Sequence, residues 1–368
     1  MTPAGRRILP AITAAAILSV AYLFLARFFP SVAPGLRAEM VEAADLMTRA
    51  SVALKVCRAS RAVPIDPSVD PNVTGLIGEE RSAITTSAGR LEAKRTTTNP
   101  AFAGLLVSLL HQAGVRRGDV VAVGASSSFP ALIVATLAAA KAMGVEPLVI
   151  SSLGASEWGG NIPGFSWLDM EDCLNAQGLI DVRPIARAIG GDEDIGRDMS
   201  PEGRALLAAR IRAGAAPFLE EPDLERNVAR RMALYKESAG ARPVKAFVNI
   251  GGSWANLGTD ADVLKIEPGL ARGILVPSPA RRGVVQAMAA DGVPVIHLLN
   301  VRGLCERYGL PWDPRPLPAP GEGSFYRRAQ AGSRAGTWLT VGYLLAMIVV
   351  SAAITRRRAW RERPTSGP

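Results

Sequence analysis

Two uncharged apolar runs bracket this chain, and they limit what can lie between them. Ile8 to Ala26 (ILPAITAAAILSVAYLFLA) carries no charge, and neither does Trp338 to Ile354 (WLTVGYLLAMIVVSAAI). Each is close to the ~20 residues that a helix needs to cross a hydrocarbon core. The sequence therefore predicts one transmembrane helix within residues 1–30 and another over 337–355, with a globular part between. A cleaved signal peptide is the rival for the first run, since Ser31-Val32-Ala33 resembles a small-residue cleavage site. Pro34 would follow that site and the run is long for a signal peptide, so an uncleaved anchor is expected.

The formal net charge of +9 is concentrated at the ends. Residues 1–27 contribute +3, residues 337–368 contribute +4, and the 28–336 segment between them is nearly balanced at +2. Its arginines form no run with interleaved aromatics, so a nucleic-acid partner is not expected. The cluster Arg356-Arg357-Arg358 with Arg361 and Arg363, and Arg6-Arg7 before the first run, predict cytoplasmic tails. The central domain would then lie outside the cytoplasmic membrane, although Arg27, Arg37, Arg327, Arg328 and Arg334 stand on the opposing side of the balance.

Cys57, Cys173 and Cys305 form no CxxC pair, which excludes a zinc finger or a disulfide-built scaffold. The expectation is three buried thiols, with one disulfide as the alternative. His111 and His297 stand in no HxxxH or HExxH pattern, so neither a metal site nor a bound cofactor is called for.

Residues 31–62 read as a connector with an amphipathic helix over Glu39–Ala59. Val63 to Pro100 is polar and turn-rich, with a short strand over Ala83–Thr86, and is either a surface excursion or a ligand-binding loop. A helix over Ala101–Ala113 follows. Asp119–Gly124 and Pro147–Ser152 are apolar strands flanking a helix over Phe129–Met143, a βαβ unit that demands parallel pairing. Val244–Ile250 and Val293–Leu299 fit the same sheet, with helices near Asp223–Ser238 and Pro279–Ala290; Gly273–Val276 is a further strand candidate. The fold class is thus α/β, a mostly parallel Rossmann-like sheet with flanking helices over 63–320. Residues 321–336 read as a flexible linker to the second run, and 356–368 as a basic tail.

Ligands of parallel α/β sheets sit beyond the carboxyl ends of the strands. Ser126, Ser127 and Ser128 stand there after the first strand, either as phosphate or carboxylate ligands or as a helix cap. The turn is similar to that of sugar-isomerase-type domains, though a GxSxG elbow is not met. Asn249, Gly251 and Gly252 follow another strand, and paired glycines admit close backbone approach. His297 and Asn300, with Arg302, end a third. Ser151, Ser152, Glu157 and Trp158, with Trp167, could line a groove. The polar loop offers Glu79, Thr85, Thr86, Lys94 and Asn99, and Lys94 with Arg95 is either an anion contact or a solvated face.

Several segments resemble the poly-γ-glutamate system protein family: DPNVTGLIGEE (70–80), ITTSAGRLEAKRTTTNP (84–100), VVAVGASSSFPAL (120–132), AFVNIGGSWANLG (246–258) and IHLLNVRGLCERYGLPWDP (296–314). The resemblance implies a membrane-associated component of bacterial poly-γ-glutamate synthesis and export. Its implied partners are the synthetase and membrane subunits of that system, the membrane itself, and the anionic polymer or a small anionic ligand. It supplies no catalytic residues. The alternatives from the residues are a hydrolase or transferase acting on a cell-surface polymer, using Ser126, Ser127, Ser128 or Glu79, and a purely structural subunit of the synthetase complex.

Overall fold

The computed structural model describes residues 5–26, 35–181 and 183–359. They form two units: Ala38–Ser324, and a smaller one drawn from Met1–Arg37 and Phe325–Pro368. The expected helix break over 30–34, the Ser31–Ala33 site and the tail from 360 onward lie outside the described residues.

In chain order the helices are α1 (Gly5–Ala26), α2 (Leu36–Ser60), α3 (Leu91–Thr97), α4 (Ala101–Gln112), α5 (Pro130–Met143), α6 (Trp167–Ala176), α7 (Pro201–Ala213), α8 (Leu224–Ala239), α9 (Trp254–Leu257), α10 (Val284–Ala290), α11 (Val301–Tyr308) and α12 (Ser324–Ala359). The strands are β1 (Val120–Ser126), β2 (Glu146–Ser152), β3 (Asn161–Ile162), β4 (Phe165–Ser166), β5 (Ala186–Ala188), β6 (Val244–Ile250), β7 (Gly269–Ala271) and β8 (Val295–Leu298). Six of them make one sheet in the order β5-β2-β1-β6-β8-β7, parallel throughout except for the β7–β8 edge pair. β3 and β4 form a separate antiparallel hairpin.

The sheet is central because its strands are apolar on both faces. β1 is buried at every position, the mark of a strand covered by helices on either side. Val120, Ala122, Ile150 and Phe247 pack in one cluster with Leu224, Val228 and Tyr235 of α8 and Val284, Val285 and Met288 of α10. α4 and α5 pair with each other, and α5 lies against β1 and β2. α5 opens with Pro130 in its first turn and closes on Gly144 at φ +64, the left-handed cap that glycine adopts at least cost. Gly124 in β1 is a close approach, since a Cβ there would stand 2.3 Å from the Asn256 amide nitrogen.

The structure departs from the sequence reading in several places. Gly273–Val276 is not a strand, and β7 precedes it at Gly269–Ala271. Ala83–Thr86 makes only an isolated bridge, Thr85 to Ala155. The 321–336 linker is mostly helix, because α12 starts at Ser324. The polar 63–100 stretch contains α3, and Lys94 through Asn99 are all buried. Cys57 of α2 and Cys173 of α6 form a disulfide across 116 residues of sequence, and only Cys305 is a free, buried thiol. Such a cross-link typically contributes about 2–4 kcal/mol by restricting the unfolded chain.

The two expected membrane spans are also corrected. Among the described residues, no helix is long and apolar enough to cross a membrane. Polar groups interrupt the apolar runs of α1 and α12. Ser19 is hydrogen-bonded to Tyr343 at 2.9 Å, and Tyr22 to Thr340 at 3.2 Å, with the two tyrosine rings stacked at 4.4 Å. The two-span placement in the cytoplasmic membrane, with the central domain outside it, is overturned along with the spans.

Candidate functional site

β1, β2, β6 and β8 run parallel, so their carboxyl ends share one edge of the sheet. From β1 the chain builds outward through β2 on one side and β6 on the other. That reversal opens a crevice between the loops that follow the strands. Here it is a cavity of about 700 Å³. Ser126 ends β1 and pairs in register with Ser152 at the end of β2. Ser253 follows β6 and Asn300 follows β8, and all four residues line the cavity.

The remaining wall comes from α3 and the loop before it, with Thr86, Ser87, Gly89, Arg90 and Lys94. Arg95 fixes this helix. Its guanidinium makes two parallel hydrogen bonds to the Asp313 carboxylate at 2.8 and 2.7 Å, and the Asp313 amide donates to Thr96 Oγ1 at 2.9 Å. Bidentate pairing of this kind fixes orientation as well as position. With Arg95 held, its neighbour Lys94 is turned inward and left only 3% exposed.

Lys94 Nζ donates to Ser156 Oγ at 2.7 Å and to the Ser128 carbonyl, and lies 3.9 Å from the centre of the Phe129 ring. Burial lowers its pKa to about 7, and the nearby Glu157 carboxylate only partly opposes this. The Ser156 amide donates to Ser128 Oγ at 3.0 Å, which ties the loop after β2 to the loop after β1. On the far wall Ser152 Oγ lies 3.2 Å from Ser253 Oγ and 3.4 Å from Asp194 Oδ1. Asp194 in turn accepts from Arg231 at 2.6 Å and Asn227 at 3.0 Å. Trp254 and Trp312 add aromatic surface, and the Arg302 guanidinium stacks 4.3 Å from the Trp312 ring.

Of the residues singled out from the sequence, Thr86, Lys94, Ser126, Ser128, Ser152, Gly252, Asn300 and Arg302 line this cavity. Asn300 also caps α11, accepting from the Gly303 amide at 2.9 Å. The helix-cap reading of Ser126 and Ser127 does not hold, because the N-cap of α5 is Phe129. Ser127 is fully buried away from the cavity, and its hydroxyl has no partner. Glu79 is exposed and uses its backbone to hold Asn161. Thr85 lines an adjoining hollow of about 410 Å³ that shares Thr86, Ser87 and Asp198 with the main cavity. Asn99 accepts from the Ala101 amide at the start of α4. Asn249 is buried against His297, with Nδ2 to Nδ1 at 3.1 Å. Burial lowers the His297 pKa to about 4, so it is a neutral core group near pH 7. Gly251 stands at φ +74 and packs on Ser126, turning the chain away from β6. Trp158 and Trp167 do not line the cavity.

Compared with protein families, curated proteins and solved structures, the chain finds no match. The site's chemistry therefore rests on its own residues. Among the described residues, no three His, Cys, Asp or Glu side chains gather as a metal site. The cavity presents hydroxyl donors, one buried amine and two arginines, against the carboxylates of Asp192 and Asp198. Burial raises the Asp198 pKa. Such a lining suits an anionic ligand, and the 2.7 Å Lys94–Ser156 contact adds a group able to exchange a proton near neutral pH. Ser156, Arg90 and Trp312 are not recognisable as site residues from the sequence, because each enters the cavity from a segment placed by distant contacts.

Proposed function

We propose that this cleft binds an anionic, carboxylate-bearing ligand. We further propose that the ligand is a γ-linked glutamate chain handled by a bacterial poly-γ-glutamate system. The observation that carries the reading is the lining itself. Arg90 and Arg302 are joined there by the Lys94 amine and the hydroxyls of Ser126, Ser128, Ser152, Ser156 and Ser253. Charge-assisted hydrogen bonds from the two guanidinium groups are the stronger kind.

The assignment to poly-γ-glutamate is supported by where the family-like segments lie. Four of the five supply cavity residues: Thr86 to Lys94 from one, Ser126, Ser128 and Phe129 from the second, Gly252 to Gly258 from the third, and Leu299 to Trp312 from the fourth. The fifth, 70–80, does not. Within that reading the synthetase of the system is the expected protein partner.

Titration calorimetry of the full chain with a short γ-linked glutamate oligomer tests the proposal. Binding is expected at low ionic strength, with Arg302→Ala weakening it about 3–10-fold and high salt weakening it further. Absence of binding at millimolar oligomer, or no change with Arg302→Ala, contradicts the proposal.

A further inference from the structure

The contact between Lys94 Nζ and Ser156 Oγ, at 2.7 Å inside a closed-in wall of the cavity, is a second feature of this site. We propose that Ser156 and Lys94 form a nucleophile–base pair that transfers the acyl group of an amide or ester bound in the cleft to water. The γ-glutamyl identity of that substrate rests on the reading above; the pair itself does not.

A serine hydroxyl becomes an effective nucleophile when a base within hydrogen-bond reach can take its proton. Lysine serves in that role only when its amine is neutral, which is the arrangement of known Ser–Lys catalytic pairs. The surroundings of Lys94 favour the neutral amine. Its side chain is almost wholly buried, and burial lowers its pKa to about 7; the Phe129 ring, 3.9 Å away, acts the other way, because an aromatic face attracts a cation. Glu157 is the charged group that acts on it directly. Arg95, next on α3, is engaged by Asp313, while Arg90, Asp192, Asp198 and Arg302 face the same cavity.

The geometry supports the same assignment. A neutral amine can keep one N–H on the Ser128 carbonyl while its lone pair accepts the Ser156 hydroxyl hydrogen. Ser156 is fixed in turn by its amide on Ser128 Oγ. Ser152 lies 3.4 Å from the Asp194 carboxylate, but that group is already engaged by Arg231 and Asn227. Ser126 Oγ accepts from the Ser128 amide at 3.3 Å, and Ser127 Oγ is buried outside the cavity.

In the reaction, Ser156 Oγ adds to the acyl carbon as its proton passes to Lys94 Nζ. Hydroxyls at Ser126 and Ser128, which line the same cavity, can donate to the developing oxyanion. The carbon–nitrogen or carbon–oxygen bond then breaks, and the leaving amine or alcohol takes the proton from Lys94. Water adds to the acyl ester of Ser156, giving its proton to Lys94. Lys94 returns that proton to Ser156 Oγ as the carboxylic acid leaves. The net change is one amide or ester plus one water to one acid plus one amine or alcohol.

Treating the full chain with a fluorophosphonate and locating the adduct by peptide mass spectrometry tests the pair. Modification is expected at Ser156, with a rate that rises about tenfold between pH 6 and pH 8 as Lys94 loses its proton. Ser156→Ala, Lys94→Met and Lys94→Arg are each expected to abolish it, the last because a guanidinium does not deprotonate in this range. No adduct on the unaltered protein, an adduct on another serine, or equal labelling of Ser156 in a folded Lys94→Met variant overturns the proposal. If Lys94→Met does not fold, a flat pH–rate profile of the unaltered protein overturns it instead. Oligomer binding by Ser156→Ala separates the two readings. Binding by this variant, with no adduct on the unaltered protein, removes the pair and keeps the anion site. An adduct without oligomer binding keeps the pair and removes the γ-glutamyl ligand.

Discussion

Alanine in place of Asp194 is expected to lower the unfolding free energy by about 3–5 kcal/mol. Arg231 is completely buried, and Asp194 is the carboxylate that faces it, at 2.6 Å. Removing Asp194 leaves a guanidinium without its counter-charge in the core, with only Asn227 still hydrogen-bonded to it. The cost of the uncompensated charge exceeds the worth of the pair itself. Asp194 also stands at φ +60, where alanine is less readily accommodated than aspartate or asparagine. Asp194→Asn is therefore expected to cost less, and Asp194→Asn combined with Arg231→Met, which removes the buried charge, should recover much of the loss. Urea unfolding curves of the four proteins provide the measurement. The same change should loosen Ser152, whose hydroxyl lies between Asp194 and Ser253 at the cavity wall, so oligomer affinity should fall with stability.

The second large effect concerns Lys94 and has a defined sign. Its pKa falls from 10.5 in the unfolded chain to about 7 in the fold. Between those values the unfolded chain holds a proton that the folded protein has released. Stability then rises with pH. Below about pH 7 both states are protonated and the full penalty of burying the charge is present. Between pH 7 and pH 10 the penalty is relieved at ~1.4 kcal/mol per unit, a gain of roughly 3–4 kcal/mol. Lys94→Met, close in length and uncharged, should be more stable than the parent at pH 7 and should lack this rise. Equal slopes of stability against pH for the two proteins would show that Lys94 is not a buried base.

Parts of this architecture were legible because they depend on local pattern. The VVAVG and PLVISS runs with an apolar helix between them define a βαβ unit whatever the rest of the chain does. Val244–Ile250 is legible as a strand because it is rich in β-branched and aromatic residues around the apolar run Ala246-Phe247-Val248, which is buried throughout. The polar 63–100 stretch leaves two alternatives, surface excursion or ligand-binding loop, for the opposite reason. Its Lys, Arg and Thr residues have the composition of a solvated face. Their burial depends on Arg95 meeting Asp313, 218 positions away. Ser156 escaped notice because its partner lies 62 residues earlier, on a helix that composition does not announce. The Cys57–Cys173 bridge joins α2 to α6 and has no spacing signature. The apolar ends show a further limit of composition. Absence of charge over ~17–19 residues suggests a span, but among the described residues no helix is long and apolar enough to cross a membrane.

An anionic ligand held in this cleft by Arg90 and Arg302 has to leave Lys94 neutral if Lys94 is to take the Ser156 proton. Calorimetric titration of a γ-linked glutamate oligomer at pH 8, repeated in buffers of different ionisation enthalpy, reads both the affinity and the protons exchanged. Lys94, with its pKa lowered to about 7, is mostly neutral at that pH. Binding is expected at low salt with almost no proton taken up, and it should weaken at high salt and in Arg302→Ala. Absence of binding, or binding with uptake of about one proton that Lys94→Met removes, would contradict this arrangement.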